Sequence, residues 1–519
     1  MEYPSLLWKT GLAKNRLLFP VSPAGRPEPV SGPIPAGVLE DLLPAGAFSP
    51  RSSTYFRFPC DADEIPSRQK LLWQTAHRET FAGYADALLE EIACFERLYD
   101  RWKAPELPRN QYRLLFPAVA SAYLQLARAF AGILPPEASP DTWGYAVRVR
   151  ACFAAILSDE RICRLTKTLE QYRSTRQAGV ELSFRGGSVS AFTVSDFYAD
   201  NLRQYFEEMG IADAWPASRN YRADPAVIDA YCAVYPDVTD KAARLLEEYA
   251  PLLENEYTMA DVLLYRSELQ FCREAAAWIR RMEDMGYPLC LPAVSDRRCI
   301  RLRDLRDVSL VGRDMRGDAV VPNDVRMQAD DRTHFFFVTG ANGGGKTTYL
   351  RALGVAVLFF LTGCPVSAAG GELWPFTRLL THFPSAENFE DTGRFVDEVR
   401  RAEEIRAAAD EDTVALFNET FSGTDEQKSE EYSRRLAGDM YAAGTFGLYV
   451  THIHTLTHGE IPTLAAVVDE SADNRRTYRI RRMDGTDSSF AEDILKKYRL
   501  TAEGLSERLA DLRRKGGVL

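Results

Sequence analysis

The sequence predicts a multi-domain chain in which a mostly α-helical domain is followed by an α/β domain built around a phosphate-binding loop. Three observations predict it. The 519 residues, 46% hydrophobic and 26% charged, exceed one ordinary core and are too apolar for disorder, so two or three globular units are expected. From Ser67 onward, RQKLLWQTAHRETFAGYADALLEEIACFERLYDRW and QYRLLFPAVASAYLQLARAFAGIL repeat apolar residues three and four apart, the amphipathic helical period. HFFFVTG, an apolar strand running into glycine, then opens an α/β segment that continues to the end.

Residues 1–64 are rich in proline, glycine and aromatics and read as an irregular arm or small cap. Helical patterning fills residues 65–292, interrupted at Gly179 to Thr193, whose GVELSFRGGSVSAFT reads as a strand or hairpin insertion. Short β-like runs, CIRLRDL and VSLVGRD, follow a boundary near residue 290, and residues 293–519 form the α/β domain with a helical tail. The 9 cysteines include no C-x-x-C pair, which points to free thiols in a reducing cytoplasm. The N-terminus lacks the pattern of a signal peptide. Val355 to Leu361 is too short to cross a bilayer, so no membrane segment is expected.

A net charge of −11 repels nucleic acid, so contact with DNA requires a local basic patch. Arg161, Arg164, Lys167, Arg173 and Arg176, with Tyr172 between them, supply one candidate stretch. A solvated helix face is the more ordinary account of it.

Gly340-Ala341-Asn342-Gly343-Gly344-Gly345-Lys346-Thr347 fits G-x-x-x-x-G-K-[ST], with the apolar run Phe335 to Val338 before it and a helical stretch from Thr348 after it. Glycines let backbone N–H groups turn around the β- and γ-phosphates of ATP, Lys346 supplies a point charge, and the Thr347 hydroxyl is a Mg²⁺ ligand. A second apolar run, Thr413 to Phe417, ends in Asn418-Glu419, where phosphate-loop ATPases usually carry Asp-Glu. Glu419 is the candidate general base, and Asn418 keeps an acceptor for the metal site but loses the charge. A third, Phe446 to Val450, ends in Thr451-His452-Ile453-His454, placing His452 to sense the γ-phosphate. This order along the chain is the layout of an ABC-type ATPase.

These elements resemble the ATPase domain of the MutS family. TGANGGGKTTYLRALG is similar to the family's TGPNMGGKSTYLRQ, with Gly343 where the family has methionine. Val321-Pro322-Asn323-Asp324 resembles its apolar-Pro-Asn-Asp element, Gly363-Cys364-Pro365-Val366-Ser367-Ala368 its G-C-x-V-P-A, and Gly393 to Val399 its S-T-F-x-x-E-M. Asn418-Glu419 with Ser422-Gly423-Thr424 resembles D-E-x-x-R-G-T, Thr451 to Leu456 resembles T-H-x-x-E-L, and the tail from Tyr478 through SSFAEDILKKYRL resembles the closing segment.

The resemblance implies an α-helical core and lever domain followed by an ABC-type P-loop ATPase domain. It implies a homodimer with composite sites, Asn323 against the adenine, Thr348 beside the phosphates, and Arg394 or Thr392 reaching the neighbour's phosphate in place of the family's serine. It further implies DNA as partner, branched or mismatched and sequence-nonspecific, together with repair proteins. No segment matches the family's mismatch-reading domain. Phe206-Glu207-Glu208 spells its wedge but falls in a helical part. Other readings are an ATP-operated assembly or regulatory switch with no DNA role, an inactive ATP-holding switch suggested by Asn418, and a transporter's nucleotide-binding subunit. The last is disfavoured by the missing L-S-G-G-Q.

Overall fold

The computed structural model describes residues 2–18, 32–175, 179–185, 188–194, 229, 232–233, 235–313, 315–384, 394–421, 425–469 and 475–483. Arg176, Phe206 to Glu208, Thr392, Gly393, Ser422 to Thr424 and the tail SSFAEDILKKYRL lie outside the described residues. The chain forms two compact units, one of residues 1–28 and 74–273, the other of 29–73 and 274–519.

The first unit is helical, with Glu79–Trp102, Arg109–Ala131, Ala146–Ser158, Glu160–Thr175 and Pro236–Pro251 as its main helices. The expected hairpin is present: β1 (Gly179–Arg185) pairs antiparallel with β2 (Ser188–Val194). An aromatic cluster lies inside, where Phe130 stacks on Phe153 at 4.7 Å and Tyr3 on Phe153 at 5.4 Å. The buried Glu268 carboxylate anchors the N-terminal segment, accepting from Ser5 Oγ, from the Leu6 amide at 2.8 Å and from Asn15 Nδ2 at 2.8 Å. Among the described residues only helix Arg109–Ala131 is long and apolar enough to cross a membrane, and 50% of its most apolar window is buried inside the protein. Its Phe116, Tyr123 and Phe130 are core side chains.

The second unit carries two mixed sheets. The larger has six strands in the order β12-β11-β6-β10-β9-β8. Here β6 is Phe335–Gly340, β8 Arg378–His382, β9 Thr413–Asn418, β10 Phe446–Val450, β11 Thr463–Asp469 and β12 Arg475–Arg482. All pair in parallel except β12, which is antiparallel to β11 at the edge. Near-continuous apolar strands such as FFFV and VALF are what a sheet covered on both faces requires. Phe335, Phe337, Ala415, Phe417 and Tyr449 face helices Arg394–Ala408 and Glu426–Ala442, which contribute Ala402, Ile405, Leu436 and Met440 to one core. Helix Lys346–Leu361 lies over the alternate residues: a Cβ on its Gly354 would come within 2.7 Å of both Leu416 and Leu42. The smaller sheet has the order β3-β7-β4-β5, with β3 Ala293–Val294, β4 Cys299–Leu305, β5 Asn323–Gln328 and β7 Gly370–Leu373.

The first 64 residues differ from the irregular arm expected of them. They include helices Ala13–Leu18, Ala36–Leu42 and Pro50–Ser53, and buried Leu42, Phe48 and Phe56 pack against helix Lys346–Leu361. Two of the prolines start helices instead of breaking them: Pro35 is an N-cap and Pro50 a first-turn residue, where the missing N–H costs no helical bond. The unit boundaries therefore fall at 28/29, 73/74 and 273/274, whereas composition placed them at 64/65 and 292/293. Helices Glu64–His77 and Tyr265–Asp284 run through the structural boundaries, so no turn signal marks them.

On Glu160–Thr175 the basic stretch leaves Arg164, Lys167 and Arg173 exposed. Ile162, Leu165, Leu169 and Tyr172 form its buried stripe, so Tyr172 offers no exposed ring. Arg161 pairs with Asp159 at 3.0 Å and Glu256 at 2.7 Å. All 9 cysteines are free thiols.

Candidate functional site

In an open parallel sheet the loops beyond the carboxyl ends of the strands form the ligand crevice. Here the ends of β6, β9 and β10 lie side by side, with Val450 opposite both Val338 and Asn418. The loop after β6 holds three glycines in left-handed backbone conformations, Gly340 (φ 119), Gly343 (φ 72) and Gly345 (φ 97), which side-chain-bearing residues rarely adopt.

Helix Lys346–Leu361 begins directly after Gly345, with no side-chain cap and no acid in its first turn. The first-turn amides of such a helix are orphan donors at the positive end of the dipole, a ready anion site. Lys346, 5% exposed, donates to the carbonyls of Gly340 (2.8 Å) and Ala341 (3.4 Å) and to Asn342 Oδ1 (3.4 Å). Burial lowers its pKa, and the nearby Glu419 charge opposes that shift. The Thr347 hydroxyl donates to Asn418 Oδ1 across 3.2 Å, joining the start of the helix to the end of β9. Thr348 is half-buried on the same turn.

Glu419 is half-buried, its amide donates to the Val450 carbonyl at 3.0 Å, and it takes φ 49, with Phe421 at φ 64. Left-handed backbone at a residue with a side chain costs energy and clusters at functional sites. His452 is exposed just beyond β10, between Thr451, whose amide donates to Val338 O, and Ile453. Asn323 opens β5 and brackets the sheets: its Nδ2 donates to Tyr478 O at 3.0 Å and its Oδ1 accepts from the Ile480 amide at 2.7 Å. Arg394 begins helix Arg394–Ala408.

The structure brings Lys346, Thr347, Asn418 and Glu419 together. It also places Arg476, which no motif marks, and Tyr478, which the resemblance marks only as the start of the closing tail. β12 passes beside the loop, setting the Tyr478 ring 3.6 Å from where a Cβ on Gly345 would be and the Arg476 guanidinium against Gly343. The only sequence trace is the basic strand RRTYRIRR. His382, ending β8, is a third: it is buried, hydrogen-bonded at Nε2 to Glu398 O (3.0 Å) and at Nδ1 to Thr420 Oγ1 (3.3 Å). Burial, reinforced by Arg401, pushes its pKa down to about 4.

A glycine-rich loop between a central parallel strand and an uncapped helix, with polar residues at the neighbouring strand ends, is an arrangement suited to an anion in an open α/β sheet. The family model of MutS domain V matches residues 336–481. Endonuclease MutS2 of Solidesulfovibrio magneticus is 28% identical over 226 residues, covering 42% of this chain and 28% of that protein. The DNA mismatch repair proteins MutS of Bacillus mycoides and Bacillus cereus are each 23% identical over 425 residues, 76% of this chain and 46% of theirs. Residues 336–481 are thus similar to MutS domain V, and the chain spans less than half the length of these curated relatives.

Proposed function

We propose that this chain binds ATP with Mg²⁺ at residues 340–348 and hydrolyses it, as a MutS-like, ABC-type ATPase acting on DNA in repair or recombination. The buried Lys346 ammonium at an uncapped helix N-terminus carries the reading, because nothing but an anion complements both features. The loop amides and Lys346 hold the phosphates, and Thr347 and Asn418 hold Mg²⁺ beside them, a donor set that fits a cation completed by phosphate oxygens and water. Bound ATP with Mg²⁺ supplies the phosphoanhydride to be cleaved. Glu419 accepts the proton of the attacking water, and His452 senses the terminal phosphate. With neutral Asn418 in place of a carboxylate, turnover is slow.

The reading extends to a homodimer with composite sites, Arg394 reaching the neighbour's phosphate, Asn323 placed by the adenine, and helices of residues 65–292 as core and levers. DNA is bound without sequence preference, in branched or mismatched form, with repair proteins as further partners and the cytoplasm as the setting. Net charge −11 and the neutralised Arg161 favour a second reading, an ATP-operated assembly or regulatory switch that never touches DNA.

Steady-state ATP hydrolysis with duplex, mismatched and four-way-junction DNA, beside Lys346→Ala, separates the two. A Lys346-dependent rate that a DNA form changes supports the first; a Lys346-dependent rate indifferent to DNA supports the second; a rate that Lys346→Ala leaves intact removes both.

A further inference from the structure

β12 reaches the phosphate loop through an irregularity in its pairing. Its register with β11 runs Leu464↔Arg482, Ala465↔Arg481 and Ala466↔Ile480, then shifts, resuming at Val468↔Arg476. Within the shift Tyr478 takes φ 57. A bulge of this kind bends the strand, and Arg476 is the residue at which regular pairing resumes beyond it.

A Cβ built on Gly343 would meet Arg476 Nη1 at 2.8 Å, Cζ at 3.0 Å and Nη2 at 3.3 Å. Three guanidinium atoms at so similar a range place the plane of the group against the Gly343 backbone. Gly343 has φ 72, and a side chain there would have to push the guanidinium aside. The guanidinium stays exposed to solvent, and among the described residues it takes no carboxylate partner. Lys346 meanwhile reaches the same loop at Gly340, Ala341 and Asn342.

We propose that Arg476 is a second phosphate-binding cation of the nucleotide site, supplied by β12 of the same chain, and that Gly343 is the residue that makes room for it. The inference rests on the nucleotide reading above and adds a residue to it. A planar guanidinium offers paired N–H donors that match phosphate oxygens, which an ammonium does not. Lying flat against Gly343, the group projects its in-plane donors past the crest of the loop, beside which the phosphates of a bound nucleotide would lie. An arginine placed there stabilises the charge spread over a transferring phosphoryl group.

The test is equilibrium titration with a fluorescent ATP analogue and Mg²⁺, on wild type, Arg476→Gln, Arg476→Lys, Gly343→Met and Lys346→Ala. Each variant's thermal melt is recorded in parallel. Arg476→Gln is expected to weaken binding about tenfold or more, the loss of a charge-assisted hydrogen bond, and Arg476→Lys to recover only part. Gly343→Met both displaces Arg476 and strains the loop at φ 72, so the Arg476→Gln/Gly343→Met double variant is titrated too: if displacement of Arg476 is its main effect, the double variant binds no worse than the weaker single. If Arg476→Gln fails to fold, Gly343→Met carries the same question. Arg476→Gln or Gly343→Met binding within about twofold of wild type while Lys346→Ala loses binding removes Arg476 from the site and leaves the nucleotide reading intact. No binding by wild type overturns both.

Discussion

Replacing Asn418 with aspartate tests the metal site most directly. The Thr347 hydroxyl and Asn418 Oδ1 are 3.2 Å apart. Neighbouring ligands of an octahedral Mg²⁺ at about 2.1 Å are separated by about 3 Å, so the pair is spaced to share one cation or its water. Asn418→Asp changes almost no volume and adds one negative charge. At about 4.5 Å through one water, Coulomb's law for a dication and a carboxylate gives about 2 kcal/mol in bulk dielectric. That is about a thirtyfold gain in Mg²⁺ affinity. The assay is the Mg²⁺ concentration for half-maximal ATP hydrolysis, which should fall by about that factor, with a higher maximal rate. A half-maximal concentration unmoved within about twofold would refute the assignment of Asn418 to the cation.

Glu419→Gln should abolish steady-state hydrolysis while fluorescent-ATP binding persists; parallel loss of binding would make Glu419 structural. Leu42→Ala should destabilise the second unit by about 2–5 kcal/mol in chemical denaturation, since Leu42 is fully buried against helix Lys346–Leu361. A change under about 0.5 kcal/mol would show that this contact contributes little. For His382 the folded pKa lies near 4, below its ordinary 6.5, so the unfolded chain binds the extra proton between them. Its contribution is therefore complete above about pH 6.5 and is lost as pH falls towards 4. Urea titrations at several pH values should show a shallower decline in His382→Gln than in wild type; equal slopes would dismiss the histidine as the source.

The parts of the site visible in the sequence are those written locally. The strand-loop-helix around Lys346 occupies consecutive residues, and Asn418 and His452 each follow a strand-like apolar run whose order along the chain, with the family resemblance, singled them out. The approach of Arg476 and Tyr478 was invisible because it depends on β12 pairing beside β11 with a shifted register, a contact made 133 residues from Gly343 along the chain (476 − 343). His382 carries no motif, being marked only by burial. Arg161 entered the candidate basic stretch without its partner, because Glu256 is 95 positions away. The division of the first 64 residues between two units escaped composition, since prolines at helix starts spell the same letters as prolines in a loop.

The split second unit has a consequence for how the protein is made. Residues 29–73 leave the ribosome before the rest of their unit, yet Leu42 and Phe56 find their partners only when Gly354 and Phe359 have been synthesised. Two hundred residues of the other unit (74–273) emerge in between and can fold as they appear. The early segment must wait with its apolar side chains uncovered, making it a natural client for holding chaperones. A fragment beginning at residue 274, cut to isolate the nucleotide site, would lack the layer over helix Lys346–Leu361. The segment 29–73 supplied in trans, or fused by a short linker in place of residues 74–273, is what would restore it.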